Sequence, residues 1–186
     1  MDALDLMLSR ESALKLAPPG PSDADLQRIF ETAVRAPDHG RLRPWQFIVI
    51  GPEQRAAFGQ VMADSLRRQK PDAPEPELQR ERDKAFRAPT IVVVAAKLQK
   101  GHRIPEVEQI ASASAAAQMI MLAAPAVGYG AMWKTGAPAY DPAVKTALGL
   151  SVDDAILGFL YIGTNAGGSS PFPRPDARAH VTTWAG

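Results

Sequence analysis

Arg10-Glu11-Ser12, near the amino terminus, has the residue types and the spacing to hold a phosphate group. A guanidinium can form a charge-assisted fork with phosphate oxygens, and a hydroxyl two residues later can add a hydrogen bond. An ordinary helix end explains the same residues, because the helix dipole favours an arginine in the last turn. On spacing alone, the helix end is the better interpretation.

A second group of side chains could act on a reducible ring. Arg35, His39, Arg41 and Arg43 form a cationic cluster between a predicted helix and a predicted strand. Such a cluster could face the edge of a ring that becomes negatively charged on reduction. The alternative is a basic surface loop in which Trp45 anchors the core, and taken alone this alternative is favoured.

The turn Gly128-Tyr129-Gly130-Ala131-Met132-Trp133 could approach a flat ligand. Glycines allow the backbone to come close, and backbone amides can form hydrogen bonds with a ring nitrogen. A helix cap that leads into a strand is the alternative, and the chemistry alone favours it.

The Ala/Ser-rich stretch 111–117 presents a helix surface almost without side-chain bulk. Close helix–helix contact in a tight dimer is one use for such a surface, and central burial within one subunit is equally compatible with it. The surrounding segment 107–127 is long enough to span a membrane. It contains glutamate, glutamine and proline, which disfavour insertion into a membrane, so it is predicted to be a buried helix of a soluble protein.

Composition excludes several classes of protein. The chain has no cysteine, which rules out disulfides and thiolate metal sites, and its three histidines lack metal-ligand spacing. No Walker loop, dinucleotide-binding glycine motif or serine-nucleophile elbow is present. With 21 basic and 20 acidic residues, nucleic acid and an anionic membrane are not expected as partners. The amino terminus lacks a secretion signal, so the cytoplasm is the expected location.

These candidate residues need elements to position them. Asp2 is predicted to cap a first short helix, and Ser22 with Asp25 resembles a capping box for a second. Strands are predicted at 47–50, 91–96, 131–133 and 156–163, with two exposed helices joined by a mobile loop at 53–87. The continuous apolar run 91–96 indicates a strand covered on both faces. The sum is one domain, residues 1–186, with about four core strands and five or six helices.

Order and spacing together carry a resemblance that the separate features do not. The stretches MDALDLMLSRES, APDHGRLRPWQFIVI, GYGAMW and ILGFLYIG resemble the nitroreductase family from residue 1 to about 165. The resemblance implies an α+β fold, a three-layer sandwich with a central mixed β-sheet flanked by helices. It also implies an intertwined homodimer with FMN at the subunit interface. The implied activity passes hydride from NAD(P)H through flavin N5 to a nitroaromatic compound, a quinone or a similar acceptor, in ping-pong order.

The resemblance also implies site residues, with the chemistry itself at the flavin rather than at a catalytic side chain. Arg10 and Ser12 would hold the phosphate and ribityl chain, and Glu11 would contribute backbone contacts. Arg35 and His39, from the other subunit, would lie beside the ring. The remaining residues that it assigns to FMN are Ala131, Met132 and Trp133. Those that it assigns to the nicotinamide nucleotide are Met121, Leu122, Ala123, Ala124, Pro125 and Ala126.

The chain departs from the family pattern at several of these positions. Relatives often have a basic residue where this chain has Glu11 or Leu14, and Lys15 is the candidate replacement. The positive charge for the FMN phosphate would then come from Arg10, Lys15 and Arg174 in the tail. His39 and Arg43 stand where many relatives have asparagine and glutamine. These departures leave the acceptor open. The alternatives are a flavin-binding or flavin-consuming protein without NAD(P)H turnover, and a helical interaction protein without a ligand.

Overall fold

A fully buried strand, β3 (Thr90–Ala96), lies at the centre of the sheet in this computed structural model, which describes residues 2–168 and 173–186. The other strands are β1 (Leu16–Ala17), β2 (Trp45–Ile50), β4 (Gly130–Lys134) and β5 (Ala155–Asn165). Their order is β1-β5-β3-β2, and β4 also pairs with β5. The 11-residue β5 therefore carries three partners, and the short β1 was not predicted.

All strand pairs among the described residues are antiparallel, so the prediction of a mixed sheet is wrong for this part of the chain. A continuous apolar run is typical of parallel strands, because helices cover both faces of a parallel sheet. Here helices cover both faces of an antiparallel sheet, which produces the same pattern in β3. The apolar run therefore predicted burial of both faces of the strand correctly, but it could not predict the direction of the neighbouring strands.

In the part of the chain that the structure describes, six α-helices flank the sheet: α1 (Ala3–Ser9), α2 (Asp23–Ala33), α3 (Arg55–Gln69), α4 (Glu75–Asp83), α5 (Glu106–Ala126) and α6 (Pro142–Ala147). The alternation of β5 sends Phe159 and Tyr161 to one face, and Leu160 to the other. The first face packs with Phe58 of α3, and the second with Ile120 of α5. The structure therefore confirms the predicted α+β sandwich, with a sheet between helical layers.

The predicted caps are present. The Asp2 side chain accepts a hydrogen bond from the Leu4 N–H at 2.9 Å. The Ser22 hydroxyl accepts from the Asp25 N–H at 3.2 Å and donates to the Asp25 carboxylate at 2.7 Å. Asp25 thus closes the box through the serine side chain, because it is one carbon shorter than the usual glutamate.

The prediction of two exposed helices between residues 53 and 87 is correct for their existence and wrong for their exposure. Phe58, Met62 and Ala63 of α3 and Leu78 of α4 are buried against the sheet or against each other. Charged side chains dominate this segment, so its composition concealed the apolar positions that pack.

Helix α5 occupies the segment 107–127 as predicted, with one face buried beneath α2 and the sheet. Pro125 lies in its last turn, where the helix is about to end, and Gly128 follows with φ of 95°. That left-handed conformation is the expected helix cap. Among the described residues, no helix is both long and apolar enough to cross a membrane.

Candidate functional site

The chain leaves α1 in an extended conformation at Arg10, which has φ −51° and ψ 124°. Three residues later, the Ala13 N–H donates to the Ala131 carbonyl of β4 at 2.9 Å. This bond fixes the loop that carries Arg10, Glu11 and Ser12 beside β4. Residues about 120 positions apart in the sequence are thereby brought to one place.

The loop and β4 line a cavity of about 510 Å³, which we call the cradle. Ligand pockets commonly enclose about 300 to 1,000 Å³, so the cradle has the volume of a cofactor site. Its walls come from the loop after α1, the end of β4 and the carboxyl-terminal tail. Of the residues predicted to contact FMN, six line it: Arg10, Glu11, Ser12, Met132, Trp133 and Arg174.

The charges of the cradle favour an anion. Arg10, Lys134 and Arg174 are cationic, whereas Glu11 is the one acidic residue among the described residues that line it. The Arg174 guanidinium lies 4.0 Å from the Glu11 carboxylate. Removing a phosphate from water is costly unless cations and hydrogen-bond donors replace its hydration. The cradle offers both, since Ser12 adds an exposed hydroxyl.

Arg174 also links the tail to the loop. Its guanidinium donates to the Arg10 carbonyl at 2.6 Å and to the Ser9 carbonyl at 3.3 Å. These bonds satisfy carbonyls near the end of α1, where the helix leaves them without partners. Arg174 therefore holds the backbone of Arg10 in place as well as adding charge.

The wall formed by β4 is fixed from the neighbouring strand. The Trp133 indole N–H donates to the Leu157 carbonyl at 3.2 Å. A Cβ atom at Gly158 would lie 2.2 Å from the Trp133 indole nitrogen, so only glycine leaves room for this ring. Sequence reasoning did not identify Gly158, because its role depends on a contact across two strands.

The structure does not bring Arg35 and His39 to the cradle of the same chain. Arg35 lines a separate hollow between α2 and α5. The His39 Nδ1 atom lies 2.6 Å from the Glu108 carboxylate at the start of α5, and both side chains are largely exposed. Their predicted contact with FMN thus depends on a second copy of the chain.

The loop that carries His39 has an unusual backbone. Arg41 and Arg43 have φ of 56° and 49°, in the left-handed region that residues other than glycine rarely adopt. The Asp38 carboxylate accepts a hydrogen bond from the Arg43 N–H at 2.7 Å and so supports this conformation. Strained backbone of this kind is concentrated at functional sites.

The predicted nicotinamide contacts divide into two sets. Met121 and Ala124 lie on the face of α5 that is buried in the core, where no nucleotide could contact them in the folded chain. Leu122 and Pro125 line a hollow of about 260 Å³ together with Arg10, Glu11 and Ala131. Ala123 and Ala126 line the hollow between α2 and α5 that also contains Arg35. A helix exposes only part of its surface, so a run of six consecutive residues could not all contact one ligand.

The turn before β4 is fastened to α2. The Tyr129 hydroxyl donates to the Asp25 carboxylate at 2.9 Å. Hydrogen bonds from Ser22 and from Tyr129 lower the pKa of Asp25, and the bond to Asp25 raises the pKa of Tyr129. Asp25, which completes the capping box of α2, thus also positions the strand that forms the cradle wall.

Two basic residues differ from the sequence prediction. Lys15, the candidate replacement for the family's second base, does not line the cradle, whereas Lys134 does. Lys134 directly follows Trp133, and this adjacency was the signal available in the sequence. Within residues 2–168 and 173–186, no cluster of histidine or acidic side chains is arranged to hold a metal ion.

The sequence and the fold both match known proteins. The model of the nitroreductase family matches residues 7–164. The chain is 39% identical over 183 residues to the Escherichia coli K12 protein named "Putative NAD(P)H nitroreductase YdjA", and this covers 98% of the chain and 99% of that protein.

Two solved structures share the fold. A nitroreductase-like family protein from Bacillus cereus gives a TM-score of 0.85 at 22% identity, covering 100% of this chain and 97% of that one. The FMN and NADPH-dependent nitroreductase NfnB from Sphigopyxis sp. strain HMH gives 0.79 at 22% identity, covering 100% of each chain. At this identity the two structures establish a common architecture.

Proposed function

The chain belongs to the nitroreductase family, and from this premise we propose that it is an FMN-dependent oxidoreductase that uses NAD(P)H to reduce a small oxidised acceptor. The observation that carries the proposal is the cradle, where six of the residues that the sequence analysis assigns to FMN surround one cavity. Chance placement of a three-residue motif would not bring β4 and the tail to the same cavity.

The residues of the cradle fit FMN. Arg10 and Ser12 would bind the phosphate and ribityl chain, and Arg174 would add charge while it holds the loop. The backbone of Met132 and Trp133 would run along the isoalloxazine ring. Bound FMN would supply the hydride chemistry at N5, between NAD(P)H as the donor and a nitroaromatic compound, a quinone or a similar acceptor.

The remaining work falls to binding and electrostatics. Arg35 of a second copy would place positive charge beside the ring, where it favours the reduced form, and His39 of that copy would lie next to it. Leu122 and Pro125 are the members of the predicted nicotinamide segment that adjoin Arg10. No side chain needs to act as an acid or base in hydride transfer. The cytoplasm, where NAD(P)H is available, is the proposed location.

A homodimer is part of the proposal. Helix α1 has no buried residue, and its apolar residues Leu4, Met7 and Leu8 are 67%, 56% and 76% exposed. In the tail, Val181 and Trp184 are 71% and 90% exposed. An amphipathic helix must bury its apolar face to be stable, so a partner surface is expected here. A second copy would cover these residues and bring Arg35 and His39 to the site.

The test begins with the purified protein, which is expected to be yellow and to release about one FMN per chain on denaturation. Substitution Arg10→Ala should lower FMN retention at least about tenfold, because a charge-assisted phosphate contact is lost, while thermal unfolding changes little. Arg80→Ala, on the exposed face of α4, is the control that removes the same charge elsewhere.

Arg10→Ala protein that retains its full FMN would contradict the phosphate assignment. Steady oxidation of NADH or NADPH with a quinone or nitro compound is expected of the wild type. Flavin release without this turnover would favour the flavin-binding alternative. A colourless protein that takes up no added FMN would contradict the flavoenzyme proposal as a whole.

A further inference from the structure

A second cavity, of about 180 Å³, adjoins the end of β4. It is enclosed by α3, by the segment that follows α4, by the turn after β4 and by β5. Lys134 lines both cavities, so the two are neighbours. Neither the family resemblance nor the proposed flavin chemistry gives this second cavity a role, and we call it the β5 cavity.

The floor of the β5 cavity is apolar and aromatic. Phe159 and Tyr161 extend from the same face of β5, and Met62 of α3 lies opposite them. All three residues are at most 3% exposed. An apolar cavity of about 150 Å³ is large enough for benzene, so a volume of about 180 Å³ accepts one six-membered ring with a small substituent.

The rim of the β5 cavity is cationic. Lys84 pairs with Glu81, which neutralises both. Arg87 and Lys134 have no ion pair with any residue that the structure describes, so two positive charges at the rim are uncompensated. A ligand that enters this cavity gains by placing negative charge at the rim and apolar surface at the floor.

Tyr161 supplies an unused hydrogen-bond donor between the floor and the rim. Its side chain is 1% exposed, and its hydroxyl has no hydrogen-bond partner within residues 2–168 and 173–186. Burial raises the pKa of this phenol, the Arg87 guanidinium acts in the opposite direction, and the Glu81 carboxylate raises the pKa further. The hydroxyl is therefore protonated near neutral pH and can donate to an acceptor. The hydroxyl is not among the fully buried side-chain atoms that lack a partner, so it reaches the cavity, where a carboxylate could accept a charge-assisted hydrogen bond from it.

We propose that the β5 cavity is a binding site for a small monocyclic aromatic carboxylate, separate from the flavin cradle. The ring lies against Phe159 and Met62, and the carboxylate accepts from Tyr161 and Arg87. For a ligand of this size, the dissociation constant should be on the order of 0.1 to 1 mM. The site stands whether or not the cradle holds FMN.

Methionine methyl NMR with benzoate as the probe tests this proposal on the full-length protein as purified. The chain has six methionines, and two of them report on the two cavities. Met62 lines the β5 cavity and Met132 lines the cradle. Benzoate should shift the Met62 methyl signal in a saturable manner and leave that of Met132 nearly unchanged. The Met62→Leu and Met132→Leu variants assign the two signals.

Two variants and one control test the named contacts. Arg87→Gln should weaken benzoate binding about tenfold, and Tyr161→Phe by about threefold to tenfold, because each removes one donor to the carboxylate. Arg80→Gln removes the same charge from an exposed position of α4 and should leave binding unchanged. Benzyl alcohol keeps the ring without the charge, and acetate keeps the charge without the ring. Both should bind at least about tenfold more weakly than benzoate.

The proposal is overturned if the Met62 signal does not move up to about 20 mM benzoate, which would indicate a cavity that holds only water. It is also overturned if only Met132 responds, since benzoate would then occupy the cradle. Equal weakening of benzoate binding by Arg80→Gln and Arg87→Gln would also contradict the proposal, because it would show an effect of net charge and no specific contact with Arg87. Loss of FMN binding would contradict the proposed function and leave the Met62 result intact.

Discussion

Arg174 makes the single-residue connection on which the geometry of the cradle depends. It lies more than 160 positions from Arg10 in the sequence, yet its guanidinium donates to the Arg10 and Ser9 carbonyls. Sequence reasoning proposed Arg174 only as a source of charge. Its second role, as a brace for the loop after α1, depends on backbone carbonyls whose position no side-chain pattern records.

We expect Arg174→Ala to weaken FMN retention by about threefold to tenfold, because it removes charge and loosens the loop at Arg10. The free energy of unfolding should change by less than about 1 kcal/mol, since the contacts are exposed. Arg178→Ala is the matched control, because that tail arginine pairs only with Asp176 among the described residues. FMN content after gel filtration and thermal unfolding measure the two effects. Equal FMN loss in both variants would contradict a specific role for Arg174.

At the residue scale, the role of a side chain could be predicted where it acts on its neighbours in the sequence. Asp2 and Ser22 cap their helices as predicted, and Gly128 has the expected left-handed conformation. Gly158 and Lys134 were missed because their roles arise from contacts between strands and across a cavity. The cationic loop was read as one cluster, but the fold separates His39, bound to Glu108, from the cradle of its own chain.

At the scale of elements, one carboxylate joins two helices. Asp141 caps α6 by accepting from the Ala143 N–H at 2.8 Å, and it accepts from Arg68 of α3 at 2.7 Å. Burial on its own would raise the pKa of Asp141, but hydrogen bonds from Ser65, Arg68 and the Ala143 N–H outweigh it and lower the pKa. A carboxyl whose folded pKa lies below its unfolded value stabilises the protein above that unfolded value, near 3.8. The stabilisation is lost as the pH falls through the folded pKa.

Asp141→Asn should therefore lower the free energy of unfolding by about 1 kcal/mol at pH 7, because asparagine keeps the cap and loses the charge. The difference from wild type should shrink toward zero as the pH falls below the ordinary aspartate range. Urea unfolding at a series of pH values measures it. Asp72→Asn is the control, since Asp72 is exposed and has no hydrogen bond or ion pair with the described residues. A constant difference at all pH values would show that the charge is not responsible.

Helices and strands could be predicted where a clear pattern of apolar residues ends at a glycine or a proline. The strands β2, β3, β4 and β5 and the helices α2 and α5 occupy the predicted positions within a few residues. Strand direction was not predictable, because burial on both faces gives the same apolar run in either orientation. The two-residue β1 was missed because its pairing with Thr164 and Asn165 comes from the end of β5, not from its own residues.

At the scale of the whole molecule, the exposed apolar face of α1 is the feature on which the dimer proposal depends. Leu8 is 76% exposed on a helix that has no fully buried residue in its own chain. If a second copy covers this face, Leu8→Glu should weaken the dimer about a hundredfold or more, because the charge enters both halves of a symmetric interface. Sedimentation velocity over a dilution series measures this change.

The dimer prediction has its own control. Val152→Glu places the same charge at another exposed apolar position, in the loop between α6 and β5, and should leave the assembly unchanged. Because the proposed site draws Arg35 and His39 from the partner, Leu8→Glu protein should also retain less FMN. A wild-type protein that is monomeric at micromolar concentration would contradict the dimer and the shared site together.

The indole of Trp133, held to the Leu157 carbonyl at the wall of the cradle, gives the protein a built-in optical reporter. Oxidised flavins absorb light in the range where tryptophan emits, so a flavin beside this ring would quench its fluorescence by energy transfer. Emission should therefore rise when FMN is stripped from the protein and fall again when it is added back. The chain has three tryptophans, so the Trp133→Phe variant should respond less than the wild type, and the difference between the two responses would report on Trp133 without any label.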